Sequence, residues 1–329
     1  SLFRGFSMGF PDFRGVRKDA ADNADTWRVR SRFKVFRDKH EILKDLRIEM
    51  NFDLTPVEQI GGLFFKREDK FKPFQFSRVN GSKLRQCIML LEKNKEQARN
   101  GIITATSILS PQAVITSAVA KHIGVDCTIM YGGTTAKKIL LMPYPTACLN
   151  MGAKIKIVAN TGRTAVIGAK AKEFQKENGG YVIRYGFDMK ENIDCFLESV
   201  SEQVKNIPDE LENIVVTVGS AITIVGILYG ISLYGKKVRN VFGVGVAPNR
   251  QNKIGFYLDL LGCDKSVQSP LRYIDAFNKY KGFKYENVFN EAYCGIRFHP
   301  RYEAKAFRWL RASRLEGETL FWITGGDIV

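Results

Sequence analysis

No run in this 329-residue chain approaches the roughly 20 apolar residues that a bilayer-spanning helix needs, and the amino terminus has no signal-peptide apolar core. A cytoplasmic protein with no membrane partner is therefore expected. Cysteine is sparse, and none of Cys87, Cys127, Cys148, Cys195, Cys263 and Cys294 stands in a CxxC pair. Scattered thiols in a chain of this length exclude a disulfide framework and fit a reducing compartment. His40, His122 and His299 lie far from one another and from any cysteine pair, so no metal-binding spacing is present. Low-complexity tracts are also missing, and a 45% hydrophobic content supports a sizeable core. At this length, two lobes sharing a cleft are expected.

Acidic residues are outnumbered by basic ones, 34 to 50, which leaves a net charge of +16. Such an excess attracts polyanions. Near the amino terminus Arg28, Arg30, Arg32, Lys34 and Arg37 alternate with Trp27, Val29, Phe33, Val35 and Phe36, the pattern of a basic arm, and residues 38–50 are helix-like. Toward the carboxy terminus Arg297, His299, Arg301, Lys305, Arg308, Arg311 and Arg314 recur at near-helical spacing, with Tyr302, Phe307 and Trp309 interleaved. A basic face of that kind suits phosphates, so both stretches are candidate contacts for nucleic acid; the plainer alternative is a solvated charged surface.

Between these stretches strands and helices alternate. An apolar strand at 63–66 ends in Arg67-Glu68-Asp69, and Ser82 is placed to cap a helix running from Lys83 through Ala98 to a stop at Gly101. Strands at 102–104, 127–130, 154–158 and 181–183 are separated by helices at 112–122, 135–149 and 164–177. A helix at 192–205 leads into the β-branched run 214–218, followed by a helix at 224–234, a strand at 241–246, a helix at 301–314 and a strand at 319–323. Strands joined by single helices imply parallel pairing, so the expected fold is α/β, with two doubly wound parallel-sheet lobes. The expected division is a basic extension at 1–50 packing on the larger lobe, a larger lobe at 51–83 and 191–329, and a smaller lobe at 84–190.

Two segments carry chemistry. In Asn80-Gly81-Ser82-Lys83 a turn delivers a lysine to the first turn of a helix, where the positive field of the helix amides disfavours the charged amine and so assists attack on an aldehyde. Taken alone, it also fits an ordinary surface lysine. In Gly219-Ser220-Ala221-Ile222-Thr223 a strand passes through small and hydroxyl residues into a helix, a cup for a phosphate. The loop has no Gly-Lys-Ser/Thr ending and no third glycine of a dinucleotide fingerprint, which excludes both of those readings.

The order of these elements, from Thr55-Pro56 and Lys66-Arg67-Glu68-Asp69 through Lys83 and the 219–223 loop to Thr324-Gly325-Gly326, resembles the tryptophan synthase β superfamily of pyridoxal-phosphate enzymes, fold type II. Its aminocyclopropane-carboxylate deaminase and D-cysteine desulfhydrase branch is the nearest in pattern. The resemblance implies pyridoxal 5'-phosphate in the cleft between the lobes, held as a Schiff base on Lys83, with Gly219, Ser220, Ala221, Ile222 and Thr223 on the phosphate and the Thr324 hydroxyl beside the pyridine nitrogen. A neutral hydroxyl there favours elimination or replacement over chemistry that needs a strong electron sink.

Two departures bear on substrate. Ser110-Pro111-Gln112 stands where the branch usually has Ser-Asn-His, which leaves Ser110 and Gln112 as candidate substrate contacts and removes an imidazole. Tyr293, before Cys294-Gly295, falls where the branch often has an active-site tyrosine, and with Lys83 and Ser110 completes the candidate catalytic set. The resemblance implies a lyase, deaminase or β/γ-replacement enzyme acting on an α-amino-acid group, in a homodimer. The charge and the altered loop add the alternative of an amino acid or amine attached to nucleic acid, as in DNA base modification. A catalytically degenerate nucleic-acid-binding relative is a further alternative.

Overall fold

The computed structural model describes residues 53–187 and 192–326; the basic arm and the helix-like 38–50 segment lie outside them. Strand β1 (Val57–Ile60) turns into β2 (Leu63–Arg67). Then come β3 (Ile102–Ala105), β4 (Cys127–Gly132), β5 (Lys154–Ala159) and β6 (Tyr181–Ile183), which pair in the order β5-β4-β3-β6, all parallel. A second sheet is built from β7 (Glu210–Val218), β8 (Lys237–Gly245) and β9 (Leu271–Ile274). After a short ribbon, β10 (Ala292–Tyr293) and β11 (Ile296–Arg297), the strand β12 (Thr319–Ile323) completes it in the order β1-β2-β12-β7-β8-β9. Only the β1–β2 edge of that sheet is antiparallel.

The run Ile214, Val215 and Val216 is fully buried in β7, as a strand covered on both faces must be. β12 lies between β2 and β7, with Phe321 opposite both Phe65 and Val215, and every residue of it is buried. Phe65, Phe298, Phe307 and Phe321 make one aromatic cluster, with Phe298 and Phe307 ring centroids 4.4 Å apart and Phe307 and Phe321 5.3 Å apart. That cluster fixes the helix Glu303–Ser313 to the sheet, since edge-to-face aromatic pairs combine large buried area with a preferred geometry.

The expected helix at 83–98 divides at Asn94 into Ser82–Lys93 and Lys95–Ala98, and Gly81 rather than Ser82 is its cap. The expected helix at 135–149 also divides, into Ala136–Leu140 and Pro143–Asn150. Met142 before Pro143 is extended, as the proline ring demands of its predecessor. β7 and β8 begin four residues before their apolar runs, because Glu210 and Glu212 pair there with Lys237 and Arg239 at 2.5 and 2.8 Å. β1, β9, the β10–β11 ribbon and the helix Gln251–Leu260 had no counterpart in the sequence reading, being short or weakly patterned. No helix among the described residues is long and apolar enough to cross a membrane.

Candidate active site

Gly81 adopts φ 96°, ψ 179°, and a Cβ built on it falls 2.4 Å from the Thr324 carbonyl oxygen. Only glycine allows this turn, because both the backbone angle and the contact exclude a side chain. Its neighbours complete the clasp: the Ser82 amide donates to the Thr324 carbonyl at 2.9 Å, and the Gly326 amide donates to Asn80 Oδ1 at 2.9 Å. Two glycine turns distant in sequence thus interlock and set Lys83 against Thr324. The Lys-Arg-Glu-Asp run supports the clasp from behind. Glu68 and Arg85, both buried, pair at 2.5 Å, while Lys66 is buried and donates to Thr55 O at 2.7 Å and Asn206 Oδ1 at 2.6 Å.

Lys83, Gly219, Ser220, Ala221, Thr223 and Thr324 line one pocket. The Lys83 ammonium lies 5.6 Å from the Phe187 ring centroid, and desolvation, aided by the charge of Lys253, brings its pKa down to about 8. A mostly neutral amine at mildly alkaline pH is a competent nucleophile.

Opposite the lysine, the helix Ile222–Leu233 begins at Ala221, whose φ of 79° lies in the left-handed region, a conformation that costs a residue with a Cβ about 1–2 kcal/mol. The first internal bond of that helix runs from Val225 N to Ala221 O at 3.2 Å. The amides of Ile222, Thr223 and Ile224 therefore precede it and have no acceptor within the helix, the arrangement that receives an anion. Thr217 Oγ1, also on the pocket wall, is buried without a hydrogen-bond partner among the described residues. Arg250 donates to Gly219 O at 3.2 Å, so it and Lys253 put positive charge beside the loop. Neither cation was legible in the sequence, because the helix that carries them was not. Amine, amide cup and hydroxyls together fit an aldehyde that bears a phosphate.

Thr324 changes in meaning. Its hydroxyl donates to Glu303 Oε1, and its amide donates to the same oxygen at 3.1 Å. Glu303 is fully buried, and desolvation pushes its pKa up to about 7 against the opposing pull of these bonds. The expected neutral partner for a pyridine nitrogen is therefore a hydroxyl with a carboxyl behind it.

The structure brings Tyr302, not Tyr293, to the pocket. Tyr293 donates its hydroxyl to Gly61 O at 2.8 Å and packs on Phe65 and Phe307 at 5.8 and 5.4 Å, because the tight turn at Cys294-Gly295 folds the β10–β11 ribbon back onto the β1–β2 hairpin. The Tyr302 and Tyr285 hydroxyls are 2.6 Å apart; burial raises both, Tyr285 to about 12 against the opposing pull of its bond to Tyr302, and Tyr302 further through its contact with Tyr285. Ser110 bonds to Tyr285 and accepts the Gln112 amide at 3.3 Å. The Gln112 side chain is otherwise engaged. Its Nε2 donates to Thr104 Oγ1 at 2.9 Å and to Arg184 O at 2.8 Å, and its Oε1 accepts from Gly186 N at 2.6 Å. It anchors the 184–186 segment and does not line the pocket.

The basic carboxy-terminal row is not one open face. Lys305 is buried on the Lys284 carbonyl at 2.6 Å, and desolvation lowers its pKa to about 8. Arg308 and Arg311 both pair with Glu291, at 2.7 and 3.6 Å. A second, larger cavity of about 450 Å³ lies beside the first, between residues 109 and 142–144 on one wall and 288–301 on the other.

A helix-start amide cup and a lysine on one pocket of an α/β fold suit a pyridoxal-phosphate enzyme. Residues 51–279 match the family described as pyridoxal-phosphate dependent enzyme, and the chain belongs to that family. It is similar to the O-seryl-dTMP PLP-dependent decarboxylase of Salmonella phage ViI, 26% identical over 82% of this chain and 81% of that one. Among solved structures, a homologue of ACC deaminase has a TM-score of 0.67 at 21% identity, covering 86% of this chain and 92% of the other. The processed form of threonine deaminase isoform 2 from Solanum lycopersicum has a TM-score of 0.58 at 15% identity, over 84% and 80%. At those identities the likeness is one of fold.

Proposed function

We propose that this chain is a lyase that breaks a bond at the α-carbon of an amino-acid group, with loss of carbon dioxide or of the amino group. The observation that carries this reading is the convergence of Lys83, the amides of Ile222, Thr223 and Ile224, and the Thr324–Glu303 pair on one pocket. Bound pyridoxal phosphate supplies an electron-accepting ring conjugated to the reacting carbon. Lys83 holds the cofactor and, once the substrate amine has displaced it, carries the proton at Cα. The helix amides with Ser220 and Thr223 hold the phosphate.

Thr324, backed by Glu303, would meet the ring nitrogen of a bound cofactor and favour its protonated form. When Glu303 is ionised the threonine proton points to it, and the threonine oxygen presents a lone pair that a ring N–H can meet. A protonated ring is the stronger electron sink, which suits decarboxylation, the reaction in the name of the phage relative. The Tyr285–Tyr302 pair closes the other side and limits entry of water.

A second reading concerns what carries the amino-acid group. The net charge of +16, the larger cavity beside the pocket and the nucleotide in the phage relative's name favour a group attached to a nucleotide. The proposal keeps the lobe division at 51–83 with 191–329 and 84–190, and a homodimer, which sedimentation would check. The primary test is spectroscopic. Protein loaded with pyridoxal phosphate should show the near-visible band of a lysine-bound cofactor, and Lys83→Ala should lose it while keeping its circular dichroism. A Lys83→Ala protein that keeps the band would sink the assignment.

A further inference from the structure

We propose that the cavity of about 450 Å³ is a nucleotide subsite, which seats the base and phosphate of a nucleotide while its attached amino-acid group extends to Lys83. The inference rests on the second reading above. The volume falls within the roughly 300–1,000 Å³ of small-ligand sites.

Two segments join this cavity to the catalytic pocket. Leu109 lines the larger space and Pro111 the smaller, and Arg301 lines the larger and Tyr302 the smaller. Tyr302, on the wall of the smaller space, bonds to Tyr285, which also bonds to Leu109 O at 3.5 Å on the wall of the larger. An arm on a ligand in the larger cavity would pass these hydroxyls on its way to the lysine.

The walls carry two kinds of chemistry. Met142, Pro143, Tyr144 and Phe298 give flat apolar surface of the sort that receives a base. His299 fixes the Tyr144 ring. Its Nδ1 accepts the Arg301 amide at 3.1 Å, so the neutral ring carries its proton on Nε2, 2.8 Å from the Tyr144 hydroxyl. The charged part is positive. Arg297 is exposed and makes no side-chain bond among the described residues. Arg301 is held by the carbonyls of Glu286 at 2.7 Å and Tyr285 at 3.2 Å, neutral acceptors that leave its charge uncompensated. Glu291, the acid on the wall, is already paired with Arg308 and Arg311. A flat apolar slot edged by two uncompensated guanidiniums matches a nucleoside phosphate, whereas the carboxylate of a free amino acid could use a guanidinium but would leave the apolar slot unfilled.

The test is equilibrium binding to the cofactor-loaded protein, with thymidine monophosphate and thymidine as probes. The monophosphate should bind about tenfold or more tighter than the nucleoside, and Arg297→Ala should remove most of that difference, as expected for one charge-assisted phosphate contact. Val288→Trp, at an exposed position on the wall, should weaken both probes by obstructing the cavity. Equal binding of the two probes, an unchanged preference in Arg297→Ala, or no binding of either at millimolar concentration would each overturn the subsite.

A short thymidine-containing DNA strand separates the sources of the nucleotide. Stronger, salt-steep binding of the strand indicates a polymer substrate, and equal binding indicates a free nucleotide; both outcomes support the subsite. Failure here is distinct from failure of the enzyme assignment, because the cofactor band on Lys83 does not depend on nucleotide binding.

Discussion

Lys83 and Glu303 are two buried ionisable groups whose surroundings move them toward neutrality from opposite directions. Desolvation brings Lys83 down to about 8, so capture of pyridoxal phosphate by the apoprotein should accelerate as pH rises through about 8 and then level off. Stopped-flow absorbance across pH 6.5–10.5 measures this, and a midpoint near the ordinary lysine value of 10.5 would count against it. Glu303 is raised from 4.5 to about 7, so its contribution to apoprotein stability is fully present below 4.5 and is lost as pH rises through about 7. Glu303→Gln should lack that loss, which denaturant midpoints of the two proteins at pH 5 and pH 8 would compare. The same variant should lower turnover on the order of 10²-fold, since in the proposed mechanism it removes the ionisable group that acts on the ring nitrogen through Thr324.

At the scale of elements, the lysine-bearing turn depends on a strand end and a helix held by one buried ion pair. Arg85→Ala leaves the Glu68 carboxylate buried without its partner, and should cost about 3–5 kcal/mol in chemical denaturation. Glu68→Leu combined with Arg85→Met should recover most of that loss, because an apolar pair of similar volume removes both charges together. This clasp also explains what was legible in the sequence. Lys83, the 219–223 loop and Thr324 each sit in a local turn with its own signature, so they could be read before their meeting was known. Tyr302, Tyr285 and Glu303 carry no such local mark. A glutamate in the first turn of a helix reads as an ordinary terminal charge, and only the packing of that helix on β12 buries it. Tyr293 stands at the position that the family resemblance marks, whereas Tyr302 reaches the pocket only because it caps the helix Glu303–Ser313, a placement that sequence order does not reveal.

For the molecule as a whole, the strand and helix alternation implies the parallel sheets, while the antiparallel β1–β2 edge is not legible there because β1 holds only Val57 and Ile60 as apolar residues, around Glu58 and Gln59. Charge is the other whole-molecule property. With Arg308, Arg311 and Lys305 already engaged, an interaction with nucleic acid rests on the remaining basic residues, the arm at 28–37 among them. Affinity of the full chain for a short DNA duplex, followed by fluorescence anisotropy, should fall on the order of a hundredfold or more between 50 and 200 mM salt. A flat salt response would remove the basic surface as a nucleic-acid contact.

The placement of β12 between β2 and β7 has a consequence for biosynthesis. While the chain is still on the ribosome, the 102–183 stretch can assemble its four-stranded sheet from strands that are all already translated. The six-stranded sheet has to wait, with the inner edges of β2 and β7 bare, until residues 319–323 emerge to fill the gap. Because the next turn also closes over Gly81, the pocket that Lys83 shares with Thr324 is complete only once that strand is in place.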